Sequence, residues 1–287
     1  MTDTLLVSTY RSLLRVEPTT RASMVMHTGL GLYYGITWGH EAITVAARWY
    51  PWYMPTSHIE RPVRIRFNRD LSVLDVIKLP PDAGGVHQIS CVDKEIYYAC
   101  SRQDAYMIES GGTFEVWHPS PDMDDHGKDT HHFNSIWADQ EYLYLVGHNR
   151  GPSDIWIFER QSRRLMGKRR IGEWAHNVWS LDGQLAVCNS RMGRIETQSG
   201  EVLAETGGFP RGVAVTDDRI YVGVSGRAHR MMRWAGRSDL LVFDRSWKLL
   251  DTIDLGQNGG VNEIRVLNKP DLAHNAKPFW PPRDDGR

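Results

Sequence analysis

A pattern of polar and aliphatic positions repeats along the chain. In each copy a polar residue stands two places before an aliphatic one, and a second aliphatic residue follows seven places after the first. Such short apolar stretches, bounded by polar turns, are typical of paired β-strands. Five copies share one register: Tyr34/Ile36/Ile43, His87/Ile89/Ile96, Asn134/Ile136/Leu143, His176/Val178/Leu185 and Arg211/Val213/Ile220. Each copy predicts a strand, a turn and a returning strand.

A sixth copy is divided between the two ends of the chain. Its first strand falls at residues 262–267, but the sequence Asn-Lys-Pro at 268–270 stands where the returning strand belongs. At the other end, residues 5–26 hold a returning strand and a further strand–turn–strand pattern, with no inner strand before them. We therefore predict that these two segments share one unit of the fold.

The spacing of the copies predicts the fold. Six four-stranded units at intervals of roughly 35 to 53 residues are typical of a β-propeller in which each unit is one blade. We predict an all-β, six-bladed β-propeller whose closing blade is shared between the N- and C-terminal segments. We expect residues 1–287 to form a single domain, with an irregular tail at 269–287. The five other blades are expected at 34–79, 85–117, 132–171, 174–206 and 209–255.

Composition narrows the functional classes. The chain has 287 residues, of which 41% are hydrophobic and 24% charged, and its formal net charge is −1. This near-neutral charge argues against a nucleic-acid-binding protein, which ordinarily carries a basic surface. The sequence has no apolar run long enough to cross a bilayer, and its start lacks the basic and apolar stretches of a signal peptide. We expect a cytoplasmic protein with neither nucleic acid nor membrane as a partner.

The three cysteines are Cys91, Cys100 and Cys188. They provide neither an even disulfide framework nor the paired spacing of a metal site. Thiols inside a cell stay reduced, and free cysteine commonly behaves as a small buried hydrophobic residue. We therefore expect three reduced cysteines packed in strands.

Strand direction gathers the polar positions at one end of the propeller. If the inner strands start at one face, the returning strands end at that face, which we call the mouth. His132 lies two places before Asn134 and is expected on the same side of its strand. The mouth thus brings together His87, His132 and His176 as candidate catalytic residues. We call the six polar positions the axial residues: Tyr34, His87, Asn134, His176, Arg211 and Asn262.

The returning strands end on arginines. A ring of guanidinium groups favours an anion, because the planar fork matches the oxygens of carboxylate, phosphate or sulfate in pairs. The alternative is that these arginines bond to backbone carbonyls at the blade ends. We predict a small anionic ligand, bound by Arg150 and Arg211 together with Asn134, Asn262 and Tyr34. The arginines are Arg11, Arg48, Arg102, Arg150, Arg191 and Arg227.

A loop rich in aromatic and proline residues also falls at the mouth. It holds Trp49, Tyr50, Trp52 and Tyr53, and exposed aromatic side chains in such number call for a reason. We expect these side chains, Trp52 among them, to wall an aromatic or otherwise flat ligand. The alternative is that the loop packs down on its own blade.

One segment resembles a known family. Asp129-Thr-His-His132-Phe-Asn134-Ser-Ile, followed by Asn149-Arg150 and an Ile-Trp strand, resembles the aryl-sulfotransferase propellers, which have an Asp, then His-x-Asn-Ser, then a strand ending in Ser-Arg. His87-Gln-Ile and residues 175–185 are similar to two further strand starts of that family. The resemblance covers roughly residues 85–190, about a third of the chain.

The resemblance implies a transfer reaction. His176 would be the nucleophile that carries the sulfuryl group, while His87, His132 and Arg150 would bind the sulfuryl oxygens. Gln88 and Asn177 stand where the family has acidic residues after two of these histidines. On this hypothesis the protein is a sulfotransferase-like enzyme.

Two other hypotheses remain open. Four of the axial positions also resemble the metal ligands of lactonase-like propellers: His87, Asn134, His176 and Asn262. On this hypothesis His87, His132 and His176 would hold a divalent ion in a hydrolase, lactonase or lyase. Neutral imidazoles suit zinc or iron, and a mixed shell of histidine, asparagine and water suits a harder ion. The third hypothesis is a ligand-binding or scaffold propeller that performs no chemistry.

Overall fold

The computed structural model describes residues 2–39, 41–49, 61–227 and 230–280, without the side chains of residues 230 and 231. Within these residues the regular structure is almost entirely β. The strands are β1 Leu5–Thr9, β2 Ser12–Glu17, β3 Ala22–Thr28, β4 Leu32–Trp38, β5 Ile43–Trp49, β6 Arg61–Phe67, β7 Val73–Lys78, β8 Val86–Val92, β9 Glu95–Cys100, β10 Ala105–Ser110, β11 Thr113–Trp117, β12 Phe133–Ala138, β13 Tyr142–Gly147, β14 Pro152–Glu159, β15 Leu165–Glu173, β16 Ala175–Leu181, β17 Gln184–Asn189, β18 Arg194–Thr197, β19 Val202–Glu205, β20 Phe209–Val215, β21 Ile220–Ser225, β22 Ser238–Phe243, β23 Leu249–Asp254 and β24 Val261–Val266.

Four short 3₁₀ helices complete the regular structure of the described chain. They lie at Pro81–Ala83, Ser101–Gln103, Met123–Asp125 and Arg230–Ala235. None of these helices is long and apolar enough to cross a membrane.

The strands form six four-stranded antiparallel sheets arranged in a ring. Blades 1 to 5 are β4–β7, β8–β11, β12–β15, β16–β19 and β20–β23, and the closing blade has the order β24-β1-β2-β3. Each inner strand contacts the next, in the order β24, β4, β8, β12, β16 and β20, and β20 contacts β24 again. The predicted six-bladed propeller is confirmed.

The closing blade joins the two ends of the chain as predicted. β24 pairs antiparallel with β1, so that Leu5 stands opposite Val266 and Val7 opposite Ile264. A hydrogen bond from the backbone N–H of Thr4 to the Asn268 side chain extends this contact beyond the strands. Backbone pairing between the two ends of the chain therefore closes the ring.

The same irregularity occurs in all six inner strands. The register against the returning strand shifts between Tyr33 and Ile36, and the five other inner strands shift at the equivalent place. A β-bulge leaves one or two residues unpaired, bends the strand and re-aims their side chains. The bulges include or directly adjoin the axial residues. This explains why polar residues recur at one position of an otherwise apolar strand.

The C-terminal segment crosses the face opposite the mouth. We call residues 268–280 the strap. Its backbone bonds to Val215 at the far end of β20, its Asn275 side chain bonds to the Ala138 carbonyl at the end of β12, and its Lys277 carbonyl accepts from Trp38 at the end of β4. Phe279 is buried against Trp38. The strap therefore bridges three inner strands.

Candidate functional site

The six axial residues meet at the axis, as the repeat predicts. All six are buried, and together with Gln88, Ser135 and Asn177 they line a cavity of about 10 Å³. A cavity of about this volume holds a single water molecule. The polar side chains therefore close the centre of the propeller. The space between them is too small for a ligand larger than a water molecule.

The axial asparagines connect neighbouring blades. The Asn134 amide donates to the Ala175 carbonyl at 3.0 Å, and the Asn262 amide donates to the Tyr33 carbonyl at 2.7 Å. Gln88 accepts from the backbone N–H of Ile136, and Asn177 accepts from that of Gly212. These four amides satisfy backbone groups of the inner strands β16, β4, β12 and β20. Gln88 and Asn177 thus accept these hydrogen bonds as neutral groups, whereas a carboxylate at either position would bury a negative charge.

His87 lies between Tyr34 and an arginine of blade 1. Its Nδ1 is 2.7 Å from the Gly85 carbonyl and 2.9 Å from Arg48 Nη2. Arg48 also donates to the Val86 carbonyl and lies over the Tyr34 ring, 4.1 Å from its centre. Burial, followed by the nearby charges of Arg48 and others, holds the pKa of His87 well below its usual value. His87 is therefore a neutral imidazole.

His132 and Arg150 share a carboxylate. His132 Nδ1 lies 2.7 Å from Asp129 Oδ1, and Arg150 Nη2 donates to Asp129 Oδ2 at 2.9 Å. The Arg150 side chain is 69% exposed, and Asp129 neutralises its charge. Arg211, the other predicted anion-binding arginine, is instead buried at the axis.

His148 is a fourth histidine in this group, which sequence analysis did not single out. Its ring centre lies 4.9 Å from that of His132 and 5.4 Å from that of His176, while His132 lies 5.0 Å from His87. Its Nδ1 accepts from the Arg150 backbone N–H. Burial, with the neighbouring charges, lowers the pKa of His148 to about 3. In the sequence, its position at the end of a returning strand, two residues before Arg150, could have identified His148 as a residue of the mouth.

His176 uses both ring nitrogens within the protein. Nε2 accepts from Arg211 Nη2 at 2.5 Å, so Nδ1 carries the proton and donates to Ser190 Oγ at 2.9 Å. Ser190 in turn donates to the Pro210 carbonyl. Burial and then Arg211 hold the pKa of His176 well below its usual value. In this arrangement His176 orients the Arg211 guanidinium.

The predicted metal ligands do not form a coordination site. Within the described residues no group of three or more His, Cys, Asp or Glu side chains is placed to hold a metal ion. Both nitrogens of His176 are engaged, and Nδ1 of His132 is engaged by Asp129. In this conformation the three histidines are not arranged around a shared ion, and metal binding stays a prediction.

A larger cavity, which we call the mouth cavity, opens at the mouth between blades 4 and 5 and the closing blade. Its volume is about 340 Å³, which lies within the range of small-molecule sites. Arg211 lines both this cavity and the axial one. The lining combines arginines, aromatic rings and glycines from blades 4 and 5 and the closing blade: Tyr10, Trp174, Ser190, Arg191, Phe209, Arg211, Ser225, Gly226, Arg227, Arg233, Gly236, Arg237, Gly260 and Val261.

The arginines of the mouth cavity differ in their partners. Arg191 pairs with Glu173, Arg237 pairs with Asp254, and Arg227 donates to the Met192 carbonyl. Arg211 differs, because it is only 8% exposed, and in the described chain its partners are the neutral groups of Asn262 and His176. Its Nε has no hydrogen-bond partner there. Among the described residues, Arg211 is therefore a buried cation without a counter-charge.

The arginines at the ends of the returning strands differ in what they contact. Arg11 and Arg48 bond to backbone carbonyls of Gln257 and Val86, as the structural alternative expects. Arg191 and Arg227 line the mouth cavity, where Arg227 also donates to the Met192 carbonyl; anion binding by either stays a prediction. The predicted aromatic wall cannot be placed in the same way, because Tyr50, Trp52 and Tyr53 lie outside the described residues.

Comparison with known proteins supports the fold alone. No protein-family model and no curated protein matches the sequence. Among solved structures, a propeller chain from a crystal structure of a nidogen/laminin complex is similar, with a TM-score of 0.65 and 15% identity over 95% of this chain and 99% of that chain. This chain therefore has the architecture of a six-bladed β-propeller.

Proposed function

We propose that this protein binds a small organic anion in the mouth cavity, with Arg211 as the buried anchor. The ligand carries a carboxylate or a similar oxyanion on a flat apolar group. The arginine pattern of the sequence predicts the same class of ligand. We place this ligand in the space between blades 4 and 5 and the closing blade.

The uncompensated charge of Arg211 is the observation that carries the proposal. Burying a cation costs free energy unless a counter-charge or several hydrogen bonds compensate for it. Arg211 lines the mouth cavity and has only neutral partners in the described chain, while its buried Nε has no acceptor there. An anion in that cavity would supply the missing counter-charge.

The aromatic lining supports a flat group on the ligand. Phe209 lies under two guanidinium groups, with Arg233 4.9 Å and Arg211 5.2 Å from its ring centre. Trp174 lines the same cavity and stacks with His148, at 5.7 Å between ring centres. Rings and guanidinium planes that face one space favour stacking of a planar ligand.

The hydrogen bonds of His176 bear on the transfer hypothesis. An imidazole attacks through an unprotonated nitrogen, and in this conformation that nitrogen, Nε2, accepts from Arg211. Sulfuryl transfer through His176 stays a prediction that requires Arg211 to move away first. Binding of an anion requires no such movement, because Arg211 already faces the cavity.

Calorimetry with a small panel of anions tests the proposal. Benzoate, phenyl sulfate, acetate and inorganic sulfate are titrated at constant ionic strength into wild type, Arg211→Met and Arg211→Lys. A hydrogen bond to a charged group contributes about 1.5–3 kcal/mol, so Arg211→Met is expected to raise Kd about 10- to 150-fold. The aromatic anions should bind more tightly than acetate or sulfate.

Arg150→Met is the matched control. It removes an arginine from the same face of the propeller, but one that is exposed and already paired with Asp129. Its Kd for benzoate should equal that of wild type. Equal losses for Arg150→Met and Arg211→Met, or no binding of any anion by wild type, would contradict the proposal.

A further inference from the structure

Tyr10 occupies a fixed position in the mouth cavity. It follows β1 directly, and its backbone N–H donates to the Gly260 carbonyl at 2.9 Å. A Cβ added to Gly260 would lie 2.9 Å from Tyr10 Cε2, and one added to Gly259 would lie 2.7 Å from Tyr10 Cβ. Two glycines of the segment before β24 therefore leave the space that the tyrosine fills, and they hold its ring against the cavity wall.

The groups that face Tyr10 come from four elements of the fold. Arg211 approaches from β20, Arg48 from β5, and Arg233 from the 3₁₀ helix at Arg230–Ala235 donates a hydrogen bond to the tyrosine hydroxyl. The Tyr34 ring of β4 lies edge-on at 6.1 Å. The neighbouring Arg11 is turned away and bonds to the Gln257 carbonyl. The phenol thus lies among the cations that would bind the anion.

We infer that Tyr10 gates the anion site: its neutral phenol donates a hydrogen bond to the bound anion, whereas its phenolate pairs with the guanidinium groups itself and excludes the anion. This inference rests on the proposed function and couples anion binding to the uptake of a proton. Binding of the anion above the ionisation range of Tyr10 takes up one proton from solvent, which forms the O–H bond of the phenol.

The electrostatics of the site set the pH range. Burial acts to raise the pKa of Tyr10, but Arg211, Arg233 and Arg48 outweigh it and lower the pKa to about 8. If only the phenol form binds, the apparent Kd rises with the fraction of phenolate, which gives about a tenfold increase between pH 7 and pH 9. An anion that neutralises Arg211 returns the pKa of Tyr10 towards its ordinary value.

Two measurements on wild type and Tyr10→Phe test the gate. The first is the tyrosinate absorbance without ligand, where wild type minus Tyr10→Phe should show one tyrosine ionising near pH 8. The second is the Kd for benzoate at pH 7 and pH 9, which should rise about tenfold in wild type and stay nearly constant in Tyr10→Phe. Tyr142→Phe is the matched control, because Tyr142 on β13 lies outside the cavity lining. It should behave as wild type in both measurements.

The outcomes separate the gate from the binding site. If benzoate binds through Arg211 and Tyr10→Phe keeps the pH dependence of wild type, the gate is refuted and the proposed function stands. The gate is also refuted, and the proposed function stands, if benzoate binds through Arg211 but no tyrosine ionises below pH 10. If Tyr10 ionises near pH 8 but no anion binds at either pH, the proposed function fails and the gate fails with it.

Discussion

Asp271 stabilises the strap, and its replacement by alanine should destabilise the whole propeller. Its carboxylate accepts from the backbone N–H groups of Val266 at 3.2 Å and Val215 at 3.3 Å, and from His274 Nδ1 at 3.0 Å. Arg265 Nε lies 3.5 Å away. Asp271 is fully buried, so Asp271→Ala leaves these donors without an acceptor and without access to water.

The expected magnitude follows from the donors that are left behind. An unsatisfied buried donor costs about 1–3 kcal/mol, and breaking a buried ion pair by removing one partner costs about 3–5 kcal/mol. We expect Asp271→Ala to lower the free energy of unfolding in urea by about 3–5 kcal/mol. Asp271→Asn keeps a carbonyl acceptor and should lose less. A loss below about 1 kcal/mol for Asp271→Ala would refute the assignment, because surface substitutions have effects of that size.

The same cluster predicts a pH dependence. Burial and Arg265 act to lower the pKa of His274, but Asp271 and Glu263, whose carboxylate is 3.0 Å from His274 Nε2, outweigh them and raise it above its usual value. A raised pKa in the folded state stabilises the protein fully below the unfolded pKa of about 6.5, and this contribution is lost as pH rises through the folded value. The free energy of unfolding should therefore fall over this range in wild type. His274→Gln should remove that fall, and an unchanged pH profile would show that His274 is not its source.

Two further predictions concern the contacts between blades and the thiols. Gly35→Ala should lower the melting temperature, because the new Cβ would lie 2.3 Å from the Ile89 backbone nitrogen and overpacking costs about 1–3 kcal/mol; an unchanged melting temperature would mean that β4 and β8 can separate freely. Cys100 and Cys188 are buried, so a thiol reagent should modify Cys91 alone in the native protein and all three after unfolding; modification of three thiols in the native state would contradict the described burial.

The fold could be predicted because its pattern is local. A strand, a turn and a returning strand occupy adjacent residues, so their polar and apolar positions repeat in one register, and the missing strands at the two ends identify the closing blade. The convergence of the axial residues followed from strand direction. The bulges that re-aim them are visible only in the pairing of the strands.

The mouth cavity could not be predicted because it depends on contacts between distant segments. Arg48 lies inside β5 and Arg150 lies three residues after β13, although the sequence places both near the end of a returning strand. Arg48 is 3% exposed and its guanidinium faces blade 2, while Arg150 is exposed beside Asp129. Tyr10 and Arg233 lie outside the repeated positions, and the backbone of Gly260 connects them. Arginines near the ends of the returning strands therefore have different neighbours, and those neighbours determine the charge of the site.

The pairing of β1 with β24 also has a consequence for how the chain folds. The contact between Thr4 and Asn268 spans 264 residues, and contacts of such long range form slowly because their loop must close first. During synthesis β1 and β2 leave the ribosome early and have no inner strand to pair with until β24 follows. Throughout that interval β1 presents an unpaired apolar edge, which is the kind of surface that associates with other chains. The edge of β1 therefore stays open to such association until β24 has been made and pairs with it.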